Sequence, residues 1–387
     1  EIPLIFDPFS GGGSIPLEAL RIGVNAFASD LNPIAVLINK VLLQYLPRHG
    51  VELANNLRKW GNWIQKKAEE QLKPYYPTHN NTANPIAYIW GRTIKCEGPN
   101  CGARVPLITK LWLAKKAKNK VALSLKPELN TKNIEFKILE EVNPSDVGIG
   151  TVRRGSVTCP ICNYTTSTVS VRKQLVQTNG GAADATLIAV VSAKKTGQGR
   201  IFSLPTKDDY LAIEKAKEAL KQINDTSKTE QLSPMPNEIL PLMSGLFNVP
   251  LYGMNIWADI FSPRQSLSLL TISSLISESA EFINKENDAE LANATLICLS
   301  FVFDRLLDLS NSLCSWEPNV PCVQHLFCRQ AIGMAWDFAE GNPIGDARGS
   351  WQLCLNSVFQ VLEENANNWP SGDIIQADAQ KHPLPDD

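Results

Sequence analysis

Four of the nine cysteines in this 387-residue chain fall into two close pairs. Cys96 and Cys101 enclose four residues, Cys159 and Cys162 enclose two, and 57 residues separate the pairs. Two short-spaced thiol pairs suit tetrahedral zinc, each pair spanning one edge of the site. Gly98, Pro99 and Asn100 in the first pair, with Pro160 and Asn163 around the second, supply the turns such knuckles need. Four thiolates leave no open position for water, so the expected Zn2+ is structural. The competing reading is four free thiols, with Cys159 and Cys162 as a redox couple; it leaves Cys96 and Cys101 unexplained. Cys298, Cys314, Cys322, Cys328 and Cys354 have no metal-like spacing and read as small core residues on helices. His49, His79, His325 and His382 are isolated, and the tryptophans read mainly as core.

A second constellation lies near the start of the chain, in Asp7-Pro8-Phe9-Ser10-Gly11-Gly12-Gly13-Ser14. A glycine-rich turn between a strand and a helix lets backbone approach a ligand closely, with the helix N-terminus aimed at it. There is no G-x-G-x-x-G here. Asp30 closes the next strand 17 residues beyond Gly13, where a ribose-binding acid is wanted. That geometry suits a nucleoside-bearing cofactor, either NAD or S-adenosylmethionine, and the bland alternative is a tight turn. Asp7 favours S-adenosylmethionine, because a carboxylate repels a pyrophosphate but suits a methionyl ammonium.

The elements that must hold these residues follow from periodicity. Leu4-Ile5-Phe6 predicts a strand, Leu17 to Ile22 a helix with Pro16 in its first turn, and Val24 to Ser29 a second strand. Asn32-Pro33 starts a helix through Leu43, and 51–72 continue helical. From about 84 the runs are β-like: Ile86 to Ile94, Val105 to Trp112, Val121 to Leu125, Ile134 to Leu139 and Val169 to Val176, with a hairpin over Val190 to Leu204. Helices are expected over Asp208 to Asn224, Pro263 to Asn284, Asp288 to Leu309, Val323 to Phe338 and Trp351 to Asn365. A final strand is expected over Gly372 to Asp378.

The net charge of -2 conceals an asymmetry, because 91–207 holds 19 Lys+Arg against 7 Asp+Glu while the rest holds 18 against 32. The middle segment carries the field that attracts a polyanion. Solvated lysine-rich surface is the bland reading, and its coincidence with a metal site favours nucleic acid. No run of about 18 uncharged apolar residues suggests a membrane span, and the cysteine usage fits a reducing, cytoplasmic compartment. An apolar strand opening at the second residue without a preceding Met reads as a piece of a longer protein.

Asp7 through Ala19 resembles the first motif of amino-group methyltransferases, and Ala28-Ser29-Asp30-Leu31-Asn32-Pro33 the motif that follows it. More specifically, the chain resembles the adenine-specific DNA methylases that contain a zinc ribbon. That resemblance runs through Trp257-Ala258-Asp259-Ile260-Phe261-Ser262-Pro263-Arg264-Gln265 and Asp304-Arg305-Leu306. It continues over Asn311 to Trp316, Arg329-Gln330-Ala331 and Trp336-Asp337-Phe338-Ala339-Glu340.

The resemblance implies that Asp7 and the loop Gly11, Gly12 and Gly13 hold the methionyl part of S-adenosylmethionine, with Phe9, Ser10 and Asn32 also at the cofactor. It also implies Asp30 at the ribose hydroxyls, Asp378 at the adenine edge, and DNA as the polyanion that the charge of 91–207 attracts. The Asp/Asn-Pro-Pro-Tyr/Phe tetrapeptide of such enzymes, which receives the target amino group, is missing. Asn342-Pro343-Ile344-Gly345 comes nearest, so no catalytic residue is assigned.

The fold expected is α/β: a Rossmann-like methyltransferase sheet interrupted by a β-rich zinc-ribbon insert and a mainly helical region. The boundaries read as 1–83 for the cofactor-binding half and a helix, 84–207 for the basic insert, 208–370 for the helical region and 371–387 for a return strand. The missing tetrapeptide keeps open a non-catalytic zinc-ribbon nucleic-acid-binding subunit, and the glycine loop keeps open a nicotinamide-dependent oxidoreductase.

Overall fold

An apolar tripeptide followed by an acid, a proline and glycines can extend only briefly. The computed structural model describes residues 2–78, 83–116, 119–194, 199–227, 233–366 and 370–381, and in it β1 (Leu4–Asp7) stops at that acid. Gly13 then adopts a left-handed φ of 81° to start α1 (Ser14–Arg21), and β2 (Asn25–Asp30) follows. Helix α2 (Pro33–Asn39) carries Pro33 at its first position. Its cap is Asn32, whose Oδ1 accepts the Ile34 N–H at 3.0 Å. A π-helical turn over Lys40–Tyr45 leads into α3 (Leu46–Leu72), kinked at Gly50.

The β-rich stretch comprises β3 (Ala83–Gly91), β4 (Thr93–Lys95), β5 (Arg104–Pro106), β6 (Trp112–Lys116), β7 (Asn119–Glu128) and β8 (Asn133–Glu140). It continues with β9 (Val152–Arg153), β10 (Ser156–Thr158), β11 (Thr165–Thr166), α4 (Thr168–Val176), β12 (Thr186–Lys194) and β13 (Arg200–Ser203). Beyond it lie α5 (Lys207–Ser227), α6 (Pro263–Glu286), α7 (Ala289–Leu309), β14 (Ser315–Glu317), β15 (Cys322–Gln324), β16 (Asp337–Gly341), α8 (Trp351–Glu364) and β17 (Asp373–Gln376). The architecture is mixed α/β, with several small sheets. Among the described residues no helix is long and apolar enough to cross a membrane.

Two compact units result. The first gathers Glu1–Lys67, Ser273–Asp304 and Cys354–Asp387. Its sheet has the order β1-β2-β17 with both pairings parallel, so the carboxyl ends of the three strands share one edge. Ala19, Leu20, Ala26, Ala28, Val36, Leu43 and Ile374 form the core that seats helices on this sheet. In the same unit Trp60 stacks on Phe282 at 6.1 Å, and Gly61 admits Leu355, whose Cδ1 would stand 2.4 Å from an added Cβ.

The second unit gathers Ala68–Ile272 and Arg305–Leu353. Its largest sheet is antiparallel, in the order β13-β12-β3-β16. A β6-β7-β8 sheet and the short β4-β5, β9-β10-β11 and β14-β15 pairings accompany it.

Three expected elements differ. Val105 to Trp112 is not one strand: Val105 and Pro106 end β5, Trp112 opens β6, and 107–111 between them are not extended in any sheet. Val169 to Val176 is not a strand but most of α4. Ser167 caps it by accepting the Ser170 N–H at 3.3 Å, and Val171 and Leu175, one turn apart, are fully buried. Burying that helical stripe outweighs the β preference of its valines. Val323 to Phe338 is not a helix. Its backbone groups pair outward: Asn248 donates to the Ile332 carbonyl, the Phe327 N–H meets Asp308, and Phe338 joins β16 beside β3. Cys322 opens β15, Cys314 lies between α7 and β14, and Cys328 ends a single 3-10 turn, Leu326–Cys328; Cys328 is exposed, whereas Cys298, Cys314 and Cys354 are buried.

Candidate metal centre and glycine loop

Each cysteine pair sits in the turn between two antiparallel strands. Cys96 to Cys101 joins β4 to β5, and Cys159 to Cys162 joins β10 to β11. Cys96 N–H donates to Ala103 O at 2.8 Å, and Cys159 N–H to Tyr164 O at 2.9 Å, which closes the two knuckles. Asn100 and Asn163 take the positive φ values the turns require, 57° and 58°.

The four Sγ atoms lie within 4.8 Å of one another. Cys96 and Cys162 sulfurs are 3.5 Å apart, and Cys101 and Cys159 sulfurs 3.9 Å apart. A tetrahedral zinc with bonds of about 2.3 Å sets neighbouring sulfurs at roughly 3.8 Å. A disulfide needs about 2.05 Å, and all nine cysteines are unpaired. The cluster can therefore hold a metal ion, with a geometry compatible with structural zinc.

The two knuckles approach so closely at Gly98 that a Cβ there would meet Cys162 Sγ at 2.9 Å. Gly98 N–H also reaches Cys96 Sγ at 3.3 Å. Burial pushes the Cys96 and Cys159 thiols up, while the Tyr164 N–H draws Cys162 down. Cys96, Cys101 and Cys159 also belong to a hydrophobic core with Val105, Val157, Val171 and Leu175. The α4 helix thus braces the cluster.

At the carboxyl edge of the parallel sheet, Asp30 bridges two segments. Its Oδ2 accepts the Gly11 N–H at 2.8 Å, and its Oδ1 accepts the Asn32 N–H at 2.8 Å. Asp7, at the end of β1, is buried and accepts the Phe9 N–H at 3.1 Å. Ser10 is buried, Gly11 and Gly12 are exposed, and the Phe9 side chain is 77% exposed. Asp378 lies two residues past β17, and Gln376 of that strand stands opposite Asp30. The Asp378 Oδ1 accepts the Gln380 N–H at 3.0 Å. The structure thus links the glycine loop, Asp30 and Asn32 by hydrogen bonds. Asp7 and Asp378 stand at flanking strand ends.

One residue of this loop escaped the sequence reading. Asn39 closes α2 fully buried, and its Nδ2 donates to Gly11 O and Ala35 O, both at 2.9 Å. Its Oδ1 would stand 2.3 Å from a Cβ on Gly13. The only signal was an amide ending the apolar run Ile34-Ala35-Val36-Leu37-Ile38. Gly13→Ala is expected to destabilise the loop by about 2–4 kcal/mol, since it combines a disfavoured φ with displacement of a buried amide. Faster hydrogen exchange at Gly11 to Gly13 would register it, and protection equal to wild type would contradict the packing.

The basic segment carries exposed lysines on three strands. Along β7, Val121 and Leu123 turn into the core, whereas Lys126 is exposed; Lys115, Lys116 and Lys137 on the adjoining strands are exposed too. Asn342, in the tetrapeptide nearest to the missing motif, is committed elsewhere. Its Nδ2 donates to Pro85 O at 2.8 Å, and its Oδ1 accepts the Ile344 N–H at 3.2 Å. His49 pairs with Glu290 at 3.4 Å and His325 with Asp308 at 3.0 Å. His79 and His382 lie outside the described residues. Comparison of the chain with family models, with curated proteins and with solved structures finds no match.

Proposed function

We propose that this chain is the cofactor-binding part of an S-adenosylmethionine-dependent DNA methyltransferase directed at adenine amino groups, working in the cytoplasm. The observation that carries the reading is the carboxyl edge of the parallel sheet, where the glycine loop is tied to Asp30 and flanked by two further acids. Ligands of open α/β sheets bind outside the carboxyl ends of the strands, and the β1-β2-β17 order suits one half of a Rossmann-like sheet.

The residues fit the cofactor chemically. Asp7 offers a buried carboxylate to an ammonium, and the exposed backbone of Gly11 and Gly12 offers close approach. Each Asp30 oxygen accepts one N–H and keeps a lone pair for a ribose hydroxyl. Phe9, Ser10 and Gly13 complete the methionyl side, Asn32 the ribose side and Asp378 the adenine edge. When bound, the cofactor supplies an electrophilic methyl group. The chain's contribution is positioning, with the target base turned out of its duplex. The metal cluster and the lysine-bearing strands of 91–207 would hold the DNA backbone.

Calorimetry tests this directly. S-adenosylmethionine is expected to bind, Asp30→Ala to weaken it at least tenfold, and NAD to leave no heat. Tighter binding of NAD would replace this reading with an oxidoreductase. The committed side chain of Asn342 favours a second reading, a zinc-bearing nucleic-acid-binding subunit without catalysis; DNA binding with no affinity for either cofactor would establish it.

A further inference from the structure

Two of the sequence strings singled out above, Asn311 to Trp316 and Trp336 to Glu340, have no part in the cofactor loop. They meet in the second unit at a cavity of about 360 Å³, within the roughly 300–1,000 Å³ range of ligand pockets. Three tryptophans line it: Trp112 at the start of β6, Trp316 on β14 and Trp336 just before β16. All three are half-buried.

Each ring is anchored away from the others. Trp316 Nε1 donates to Leu113 O at 2.8 Å, and its ring stands edge-on to Phe202 at 6.5 Å. Trp336 stands edge-on to Tyr252 at 5.3 Å. Lys115 Nζ lies 5.6 Å from the Trp112 ring centroid. Rings fixed in this way give planar walls without a large ordering penalty.

Two carboxylates line the cavity, Asp337 and Glu317. Thr109 N–H and Oγ1–H donate to Asp337 at 2.8 and 2.6 Å, and both bonds fall on Oδ1. Oδ2 is the oxygen left for a ligand. Burial raises the Asp337 carboxyl above its ordinary range, while the Thr109 bonds oppose that shift. Glu317 accepts the backbone and side-chain N–H groups of Asn319, at 2.8 and 2.7 Å, both on Oε1; Asp337 is the acid whose burial sets it apart.

Aromatic walls beside an acid suit two ligand classes, a methylated ammonium or a nucleobase. Charge separates them. Lys110 lines the cavity, and 91–207 holds 19 Lys+Arg against 7 Asp+Glu. Lys110, with Lys115 beside the Trp112 ring, gives a phosphate strand counter-charges that a methylated ammonium cannot use.

We propose that this cavity receives a single unstacked nucleobase of a nucleic-acid strand, stacked on the tryptophans, with Asp337 Oδ2 accepting a hydrogen from its exocyclic amino group. Adenine and cytosine present such a donor, and thymine presents a carbonyl. The proposal rests on the reading that 91–207 meets nucleic acid, and it is independent of the cofactor loop.

The experiment uses the whole zinc-loaded chain with twelve-nucleotide single strands of dC, dA or dT and an abasic strand of equal length, read by anisotropy and tryptophan quenching. Strands of dC and dA are expected to quench and to bind about 5- to 150-fold more tightly than the abasic strand, the range of one aromatic–base stack. Trp112→Ala should remove most of that margin while leaving abasic binding alone. Asp337→Asn is isosteric and still accepts from Thr109. It should shrink the preference for dC over dT, a change that a merely structural role would not produce.

Equal binding of base-bearing and abasic strands would overturn the pocket and leave the nucleic-acid reading standing. No binding to any strand would overturn both. Quenching by a trimethyl-lysine peptide but by no strand would assign the cavity to cations and overturn the proposal.

Discussion

Cys159→Ser is expected to release the metal and unfold both knuckles, the largest effect of any single substitution in this chain. Cys159 is 1% exposed, and its sulfur lies 3.9 Å from that of Cys101 across the cluster. Structural zinc contributes about 10–16 kcal/mol of apparent binding free energy in small metal-folded units. That compares with a net stability of about 5–15 kcal/mol for a whole domain. Losing even part of it leaves β4-β5 and β9-β10-β11 too short to persist, since pairings of two or three residues are marginal without a staple. The damage should spread to α4, because Val171 and Leu175 pack into the core that contains the sulfurs. Metal analysis of wild-type protein should give one zinc per chain and the variant close to none. Hydrogen exchange should show lost protection at the amides of residues 96 and 159, which close the knuckles by donating to the Ala103 and Tyr164 carbonyls, and along α4. Unchanged zinc in both Cys96→Ser and Cys159→Ser would reject the four-thiolate centre.

How far these features could be read in advance depended on whether their causes were local. The first two strands, the glycine turn and the Asn32-Pro33 helix start are set by residues within a few positions, and each lies where its own signals place it. The cysteine pairs were legible for the same reason, since each knuckle is a turn with its own Gly or Asn. What needed partners did not show. The β16 strand exists because Asp337 to Gly341 pairs with Gly91 to Ala87 of β3, roughly 250 positions earlier in sequence. Read alone, that string continues an apparent helix. The α4 helix was obscured by its valines, whose β preference yields to burial on one helical face. Asn39 carries no motif, and only the folded loop reveals that its amide holds Gly11. The strings at 261–265 and 336–340 stood out in the sequence, but their pairing did not. Arg264 and Glu340, 76 positions apart, meet in the core.

That meeting underlies the second large effect. Arg264 Nε donates to Glu340 Oε1 at 2.7 Å with the side chains 1% and 0% exposed, and Nη1 donates to Tyr75 O at 3.1 Å. The guanidinium lies 3.9 Å over the Tyr88 ring and 4.7 Å over that of Tyr76. Burial alone would lower Arg264, but Glu340 and the two tyrosines reverse this and hold it charged; burial pushes both tyrosines up. Arg264 Nη2 and Glu340 Oε2 have no protein hydrogen-bond partner among the described residues. The pair is therefore costly to build and more costly to break. Removing one member strands a charge with almost no solvent, at about 3–5 kcal/mol. At about 2–4 °C per kcal/mol in a unit of this size, Glu340→Leu or Arg264→Met should lower the melting temperature by roughly 6–20 °C. Replacing both, as Arg264→Met with Glu340→Leu, should recover most of the loss, because exchanging a buried pair for apolar side chains of similar volume is often close to neutral. Urea unfolding of the four proteins gives the coupling. A double variant that loses the sum of the single losses would show that the two residues act separately, and that no ion pair holds α6 against β16.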